Sequence, residues 1–166
     1  MDAYLHLPVE VFPRPSRVHD VSVHREGKLS MNRVLLLLAE DEPMIQFALR
    51  EVLEDSGYEV MTADDGQQAL TILEERHSDI AGLVTDIRLG QGPDGWQVAH
   101  RARELVQTIA VVYMTGDSAA RWMADGVPES LVLQKPFADA QLVTSISTLM
   151  NAASLTIAKS PPPPSE

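Results

Sequence analysis

Five short apolar runs, separated by segments of helical period, are the feature that most restricts the fold. They are Val34-Leu35-Leu36-Leu37-Leu38-Ala39, Tyr58 to Ala63, Ile80-Ala81-Gly82-Leu83-Val84-Thr85, Ala110-Val111-Val112-Tyr113-Met114 and Leu131-Val132-Leu133-Gln134. Each is short enough for a strand and too short for an amphipathic helix. Between them, Pro43 to Ser56 sets Ile45, Ala48, Leu49, Val52 and Leu53 on one helical face, and Gly57 follows as a stop. Gly66 to His77 turns Ala69, Leu70 and Leu73 inward, and Gly95 to Val106 does so with Trp96, Ala99, Ala102 and Leu105. Ser118 to Asp125 is a short helix ended by Gly126-Val127-Pro128. Asp139 to Met150 is the last, with Leu142, Val143, Ile146 and Leu149 inward. Short connections between parallel strands form right-handed crossovers. The expected fold is therefore α/β: a doubly wound, five-stranded parallel sheet flanked by five helices.

Four of the runs are closed by polar residues. Glu40 and Asp41 follow the first, Asp86 the third, Thr115 the fourth and Lys135 the fifth. In a parallel α/β sheet, ligands bind beyond the carboxyl ends of the strands, so these residues converge. Three acids, a hydroxyl and an ammonium suit a divalent metal, a phosphoryl group and a nucleophilic carboxylate. Two carboxylates about 5 Å apart repel by about 3 kcal/mol at an effective dielectric of about 20. A cation is needed to offset that, and Mg²⁺ is the natural one. Each residue alone has a plainer explanation. Acids favour a helix N-terminus, threonine is common in strands, and a strand-end lysine is ordinary surface.

The set resembles the receiver domain of two-component response regulators over roughly Arg33 to Asn151. The matching segments are Leu38-Ala39-Glu40-Asp41-Glu42-Pro43, Val84-Thr85-Asp86-Ile87-Arg88, Met114-Thr115-Gly116-Asp117 and Gln134-Lys135-Pro136-Phe137. The resemblance implies the flavodoxin-like fold of receivers. It also implies that Asp86 takes a phosphoryl group from a phosphohistidine on a sensor histidine kinase or phosphotransfer protein. Asp41 and Asp86 would ligate Mg²⁺ directly, Glu40 through water, and Arg88 by its main-chain carbonyl. Lys135 would pair with the phosphoryl oxygens, Thr115 would donate its hydroxyl to them, and Gly116 would leave them room. The Lys135–Pro136 bond would be cis. Arg88 and Asp117 would flank the path of the hydrolytic water. Such a protein is no enzyme toward a separate substrate; it catalyses only its own phosphoryl transfer and dephosphorylation. It signals by binding a downstream protein or serves as a phosphate sink.

Three features depart from that pattern. The aromatic switch residue of receivers, three before the lysine, is here Val132, and valine has no comparable pair of rotamers. The loop Leu89 to Gly95 is about one residue longer than that pattern and rich in glycine. The segment from Thr115 to Lys135 leaves room for about two helical turns. A receiver-like scaffold that works without phosphorylation is therefore an alternative. A less favoured one is an aspartyl-phosphate phosphohydrolase of the haloacid-dehalogenase class, which needs an Asp-x-Asp pair after the first strand, where this chain has Glu40-Asp41-Glu42; Asp86-Ile87-Arg88 lacks the second acid.

Net charge is −11, and the first 30 residues add nothing to it, with four basic and four acidic side chains. So acidic a domain repels nucleic acid and anionic membranes. The chain has no cysteine, which suits a reducing cytoplasm. Its longest apolar run is six residues, far below the roughly 20 of a membrane span. Residues 1–30 read as a flexible leader, or as an extension ahead of a true start at Met31. Residues 31–151 form the receiver, with no recognisable output domain. Residues 152–166 read as a disordered proline-rich tail. The histidines, His6, His19, His24, His77 and His100, do not form a metal set. The sequence leaves a homodimer open.

Overall fold

The computed structural model describes residues 33–117 and 119–159. The leader and Met31, Ser118 and the final prolines lie outside the described residues. The strands are β1 (Leu35–Ala39), β2 (Glu59–Ala63), β3 (Ile80–Asp86), β4 (Ala110–Thr115) and β5 (Leu131–Gln134). The helices are α1 (Pro43–Asp55), α2 (Gly66–Arg76), α3 (Gly95–Leu105), α4 (Trp122–Asp125) and α5 (Asp139–Lys159). All neighbouring strands pair in parallel, in the order β2-β1-β3-β4-β5. The order reverses beside β1, between it and β3, which makes the sheet doubly wound and opens a crevice at the carboxyl ends there.

Why the strands read as unbroken apolar runs is now plain: both faces are covered. Leu36, Leu38, Val84, Val112 and Met114 pack on Leu49 and Leu53 of α1 and Leu142 and Ile146 of α5. Leu35, Leu37, Leu83, Val111 and Tyr113 face the other way, against Ala69 and Leu73 of α2 and Trp96, Ala99 and Ala102 of α3. The two sets alternate along each strand, as the strand period requires.

Two expectations need correction. The last helix does not end at Met150; it continues to Lys159, so residues 152–159 are helical rather than disordered. The inward apolar stripe stops near Leu149, but no glycine or proline interrupts Asn151 to Lys159, and Ala152 and Ala153 are strong helix formers. The first chain-breaker is Pro161. The short fourth helix is also split, into a 3₁₀ turn over Ala119–Arg121 and a single α turn, with no buried residue in either. Ala48, expected inward on α1, is exposed.

Candidate functional site

β1 delivers Glu40 to the carboxyl end of the sheet. Gln46, one turn into α1, fixes the backbone there. Its amide donates to the carbonyls of Glu40 at 3.0 Å and Ala63 at 3.2 Å, and to Asp64 at 2.9 Å. Nothing local in the sequence marks Gln46 for this; the only hint is a polar residue beside an apolar stripe. Glu40 is 1% exposed. Its Oε1 accepts the Glu42 N–H at 3.2 Å and its Oε2 accepts from Lys135 Nζ at 2.9 Å.

Lys135 reaches the site from the end of β5, just before a cis bond to Pro136. The same Nζ donates to Asp86 Oδ2 at 2.5 Å, while Asp86 Oδ1 accepts the Arg88 N–H at 2.8 Å. One ammonium thus bridges two carboxylates from β1 and β3. Burial raises the Glu40 carboxyl above its ordinary value, and the Lys135 hydrogen bond and charge only partly oppose this. Burial would lower Lys135, but its hydrogen bonds to Asp86 and Glu40 outweigh it, so the ammonium also moves up. The two shifts are consistent. The pair's attraction dominates at the lysine, 22% exposed, and desolvation dominates at the fully buried glutamate side chain.

Thr115 ends β4 and is 2% exposed, and its hydroxyl oxygen accepts the Asp117 N–H at 3.3 Å. Lys135 N–H donates to the Thr115 carbonyl at 2.7 Å, which ties the ends of β4 and β5. Gly116 is exposed, and a Cβ there would meet nothing within 4 Å. Arg88 and Asp117, both largely exposed, form an ion pair across the mouth of the site at 2.5 Å.

Asp41 is exposed beside Glu40, and its Oδ2 lies 3.6 Å from where a Cβ on Gly90 would stand. A cleft of about 430 Å³ joins Asp41, Arg88, Gly90 and Trp96. Among the described residues, no three His, Cys, Asp or Glu side chains close into a metal cage. Mg²⁺ does not need one; it is held by one or two carboxylates and keeps several waters. Asp41, exposed, and Asp86, at the end of β3, offer hard oxygens of the kind that ion takes, so the donor set fits it; in this structure Lys135 holds Asp86 as well as Glu40. A cavity of about 590 Å³ lies at the opposite pole, against the amino ends of β4 and β5. Among the described residues Glu129 is the one acid that lines it, so chemistry rather than size places the site.

Gly95 opens α3 and also shapes the site. A Cβ there would stand 2.1 Å from the Asp86 carbonyl oxygen. α3 can begin this close behind the proposed acceptor only because position 95 has no side chain.

A family model, the response regulator receiver domain, matches residues 36–147. The response regulator receiver protein CpdR of Brucella abortus is 33% identical over 120 residues, 71% of this chain and 98% of that protein. The sensor histidine kinase RcsC of Escherichia coli is 31% identical over 87 residues, 52% of this chain but 9% of the kinase. The chain thus spans nearly all of the first relative and less than a tenth of the second. Among solved structures, a response regulator receiver protein from Sinorhizobium medicae superposes with a TM-score of 0.72 at 43% identity. That match covers 75% of this chain and 99% of the other.

Proposed function

The chain belongs to the response regulator receiver domain family, and from that premise we propose that Asp86 is its phosphoacceptor. The donor is a phosphohistidine on a sensor histidine kinase or phosphotransfer protein. The observation that carries this reading is Lys135 Nζ, which bridges Asp86 and Glu40 at the topological switch point.

In the transfer, one carboxylate oxygen of Asp86 attacks phosphorus and the phosphorus–nitrogen bond breaks. The imidazole leaves with the electron pair and takes up a proton. Asp86 is held for in-line attack from both sides, by the Arg88 N–H and by Lys135. Lys135 then follows the charge onto the phosphoryl oxygens as a point cation. Glu40 keeps the ammonium anchored between strands, and Thr115 and the Gly116 N–H donate to the transferred group. Receivers generally use Mg²⁺; held by Asp41, Asp86 and the Arg88 carbonyl, with Glu40 through water, it would neutralise charge on the phosphoryl oxygens. The chain acts as a cytoplasmic signalling protein without nucleic-acid or membrane binding, passing its state to a partner protein or draining phosphate. No described helix is long and apolar enough to cross a membrane.

Incubation with acetyl phosphate and Mg²⁺ should add one phosphoryl group, seen by intact mass, and Asp86→Ala should add none. Full labelling of Asp86→Ala would overturn the assignment. An unlabelled but well-folded parent chain would favour the phosphorylation-independent scaffold.

The Arg88–Asp117 pair bears on how long the label lasts. So exposed a pair contributes only about 0.2–1 kcal/mol to stability. It nevertheless stands over the acyl phosphate where water must approach. Arg88→Ala is expected to shorten the phosphorylated lifetime a few-fold with little change in melting temperature. An equal or longer lifetime would remove the shielding role.

A further inference from the structure

α4 has no fully buried residue; Trp122 alone of its side chains packs against the core, and hydrogen bonds supply the rest of its hold. Trp122 Nε1 donates to Ser130 Oγ at 3.0 Å, and Ser130 Oγ donates to the Val127 carbonyl at 2.6 Å. The Val127 N–H donates to the phenol oxygen of Tyr113 at 3.2 Å, inside the core. A second hold comes from α3, where His100 Nε2 lies 2.9 Å from the Asp125 carbonyl.

Tyr113 is fully buried on β4. Its register partner on β5 is Val132, the position at which receivers usually carry their mobile aromatic. Tyr113 and Val132 belong to the same side of the sheet. The small valine accompanies a large aromatic one strand over. Tyr113 and Thr115 are two residues apart on one strand, so their side chains share a face. The Tyr113 ring also packs on Trp96, with centroids 4.5 Å apart and planes at 51°. Trp96 follows Gly95, which abuts the Asp86 carbonyl. The tyrosine is thereby connected to Thr115 through the strand, to the Asp86 turn through Trp96, and to α4 through one hydroxyl.

We propose that Tyr113 is the positioning residue that ties α4 to the state of the Asp86–Thr115 site, with its phenol oxygen as the link. No side chain rotates. When the end of β4 closes on a phosphoryl group, Tyr113 moves with it and carries the Val127–Ser130–Trp122 chain along. The link exists in the resting protein; its use as a switch rests on the phosphoacceptor reading.

The test compares the full chain with Tyr113→Phe, which keeps the ring and its stack and removes only the hydroxyl. Amide hydrogen exchange is followed with and without beryllofluoride and Mg²⁺, and beryllofluoride binding is read separately by fluorine resonance. Without ligand, the Val127 amide should exchange roughly tenfold faster in Tyr113→Phe, the scale of one net hydrogen bond. With ligand, beryllofluoride should bind both proteins within about twofold, as the site itself is untouched. The ligand-induced change in protection over residues 119–128 should fall by at least about half in the variant. A general loss of stability would instead raise exchange across all elements. Ser130→Ala cuts the same chain at a more peripheral bond, should give the same decoupling, and carries the test if Tyr113→Phe does not fold. A response in Tyr113→Phe equal to that of the parent, or an unchanged Val127 amide, overturns the link. A parent chain that binds no beryllofluoride overturns the phosphoacceptor reading and the switch together, while Val127 exchange still judges the resting tether.

Discussion

Lys135→Met should abolish stable phosphorylation and, in addition, make folding stability depend on pH in a new way. The substitution leaves Glu40, with its fully buried side chain, without its cation. Breaking a buried pair costs about 3–5 kcal/mol when the remaining charge is trapped. Glu40 has an escape, because it can take a proton, so a loss of about 3 kcal/mol near pH 8 is expected. Its carboxyl already lies above the ordinary value of 4.5, chiefly through burial, and without Lys135 it rises further. A group raised in the folded state contributes stability that is fully present below its unfolded value. That contribution is lost as pH climbs through the folded value. The gap between variant and parent should therefore narrow from pH 8 toward pH 5. Urea unfolding at the two pH values measures it, and Glu40→Gln in the variant should remove most of the pH dependence. An equal gap at both values would mean that Glu40 is not the buried charge responsible.

Gly95→Ala should damage both fold and chemistry, although alanine is the better helix former. The added methyl would lie 2.1 Å from the Asp86 carbonyl oxygen and 2.9 Å from Ile87 Cα. Both are backbone atoms, so no side chain can swing aside. The start of α3 must move off the end of β3, which strains the Gly95 N–H bond to the Ile87 carbonyl, now 2.9 Å. Overpacking of this kind costs about 1–3 kcal/mol. Displacing Asp86 by a fraction of an ångström should slow labelling from acetyl phosphate by roughly tenfold or more. Gly116→Ala is the contrast, because nothing lies within 4 Å of its added methyl. It should fold like the parent and report only on crowding of the phosphoryl group. Equal melting temperatures for Gly95→Ala and the parent would contradict the packing argument.

Much of this arrangement was legible in the residues themselves. A strand buried on both faces must be apolar throughout, so Leu35 to Ala39 and Ala110 to Met114 declared themselves. Every strand and the first three helices were placed within a residue or two. Glu40, Asp86, Thr115 and Lys135 could be brought together because strand ends in one parallel sheet share an edge. What was not legible depends on pairings across the sequence. Gln46 is one polar residue on a helix until the fold sets three acceptors around it. Tyr113 reads as ordinary core until Val127 arrives fourteen residues later with an N–H to satisfy. Gly95 looks like a helix start until Asp86 is found behind it. The length of α5 was missed for another reason. The expectation followed the buried stripe, and the helix outlives the stripe because its later residues favour helix without needing a neighbour.

That overhang makes the molecule polar in a geographic sense. At 21 residues α5 is about 31 Å long, while β5 beneath it spans about 13 Å. It starts at the pole that holds Asp86 and runs back until Ala152 and Ala153 overhang the amino ends of β4 and β5. Its last turns form a stalk that carries the chain away from the chemistry. The described part of the helix thus ends at the pole opposite the mouth formed by Asp41, Arg88 and Asp117.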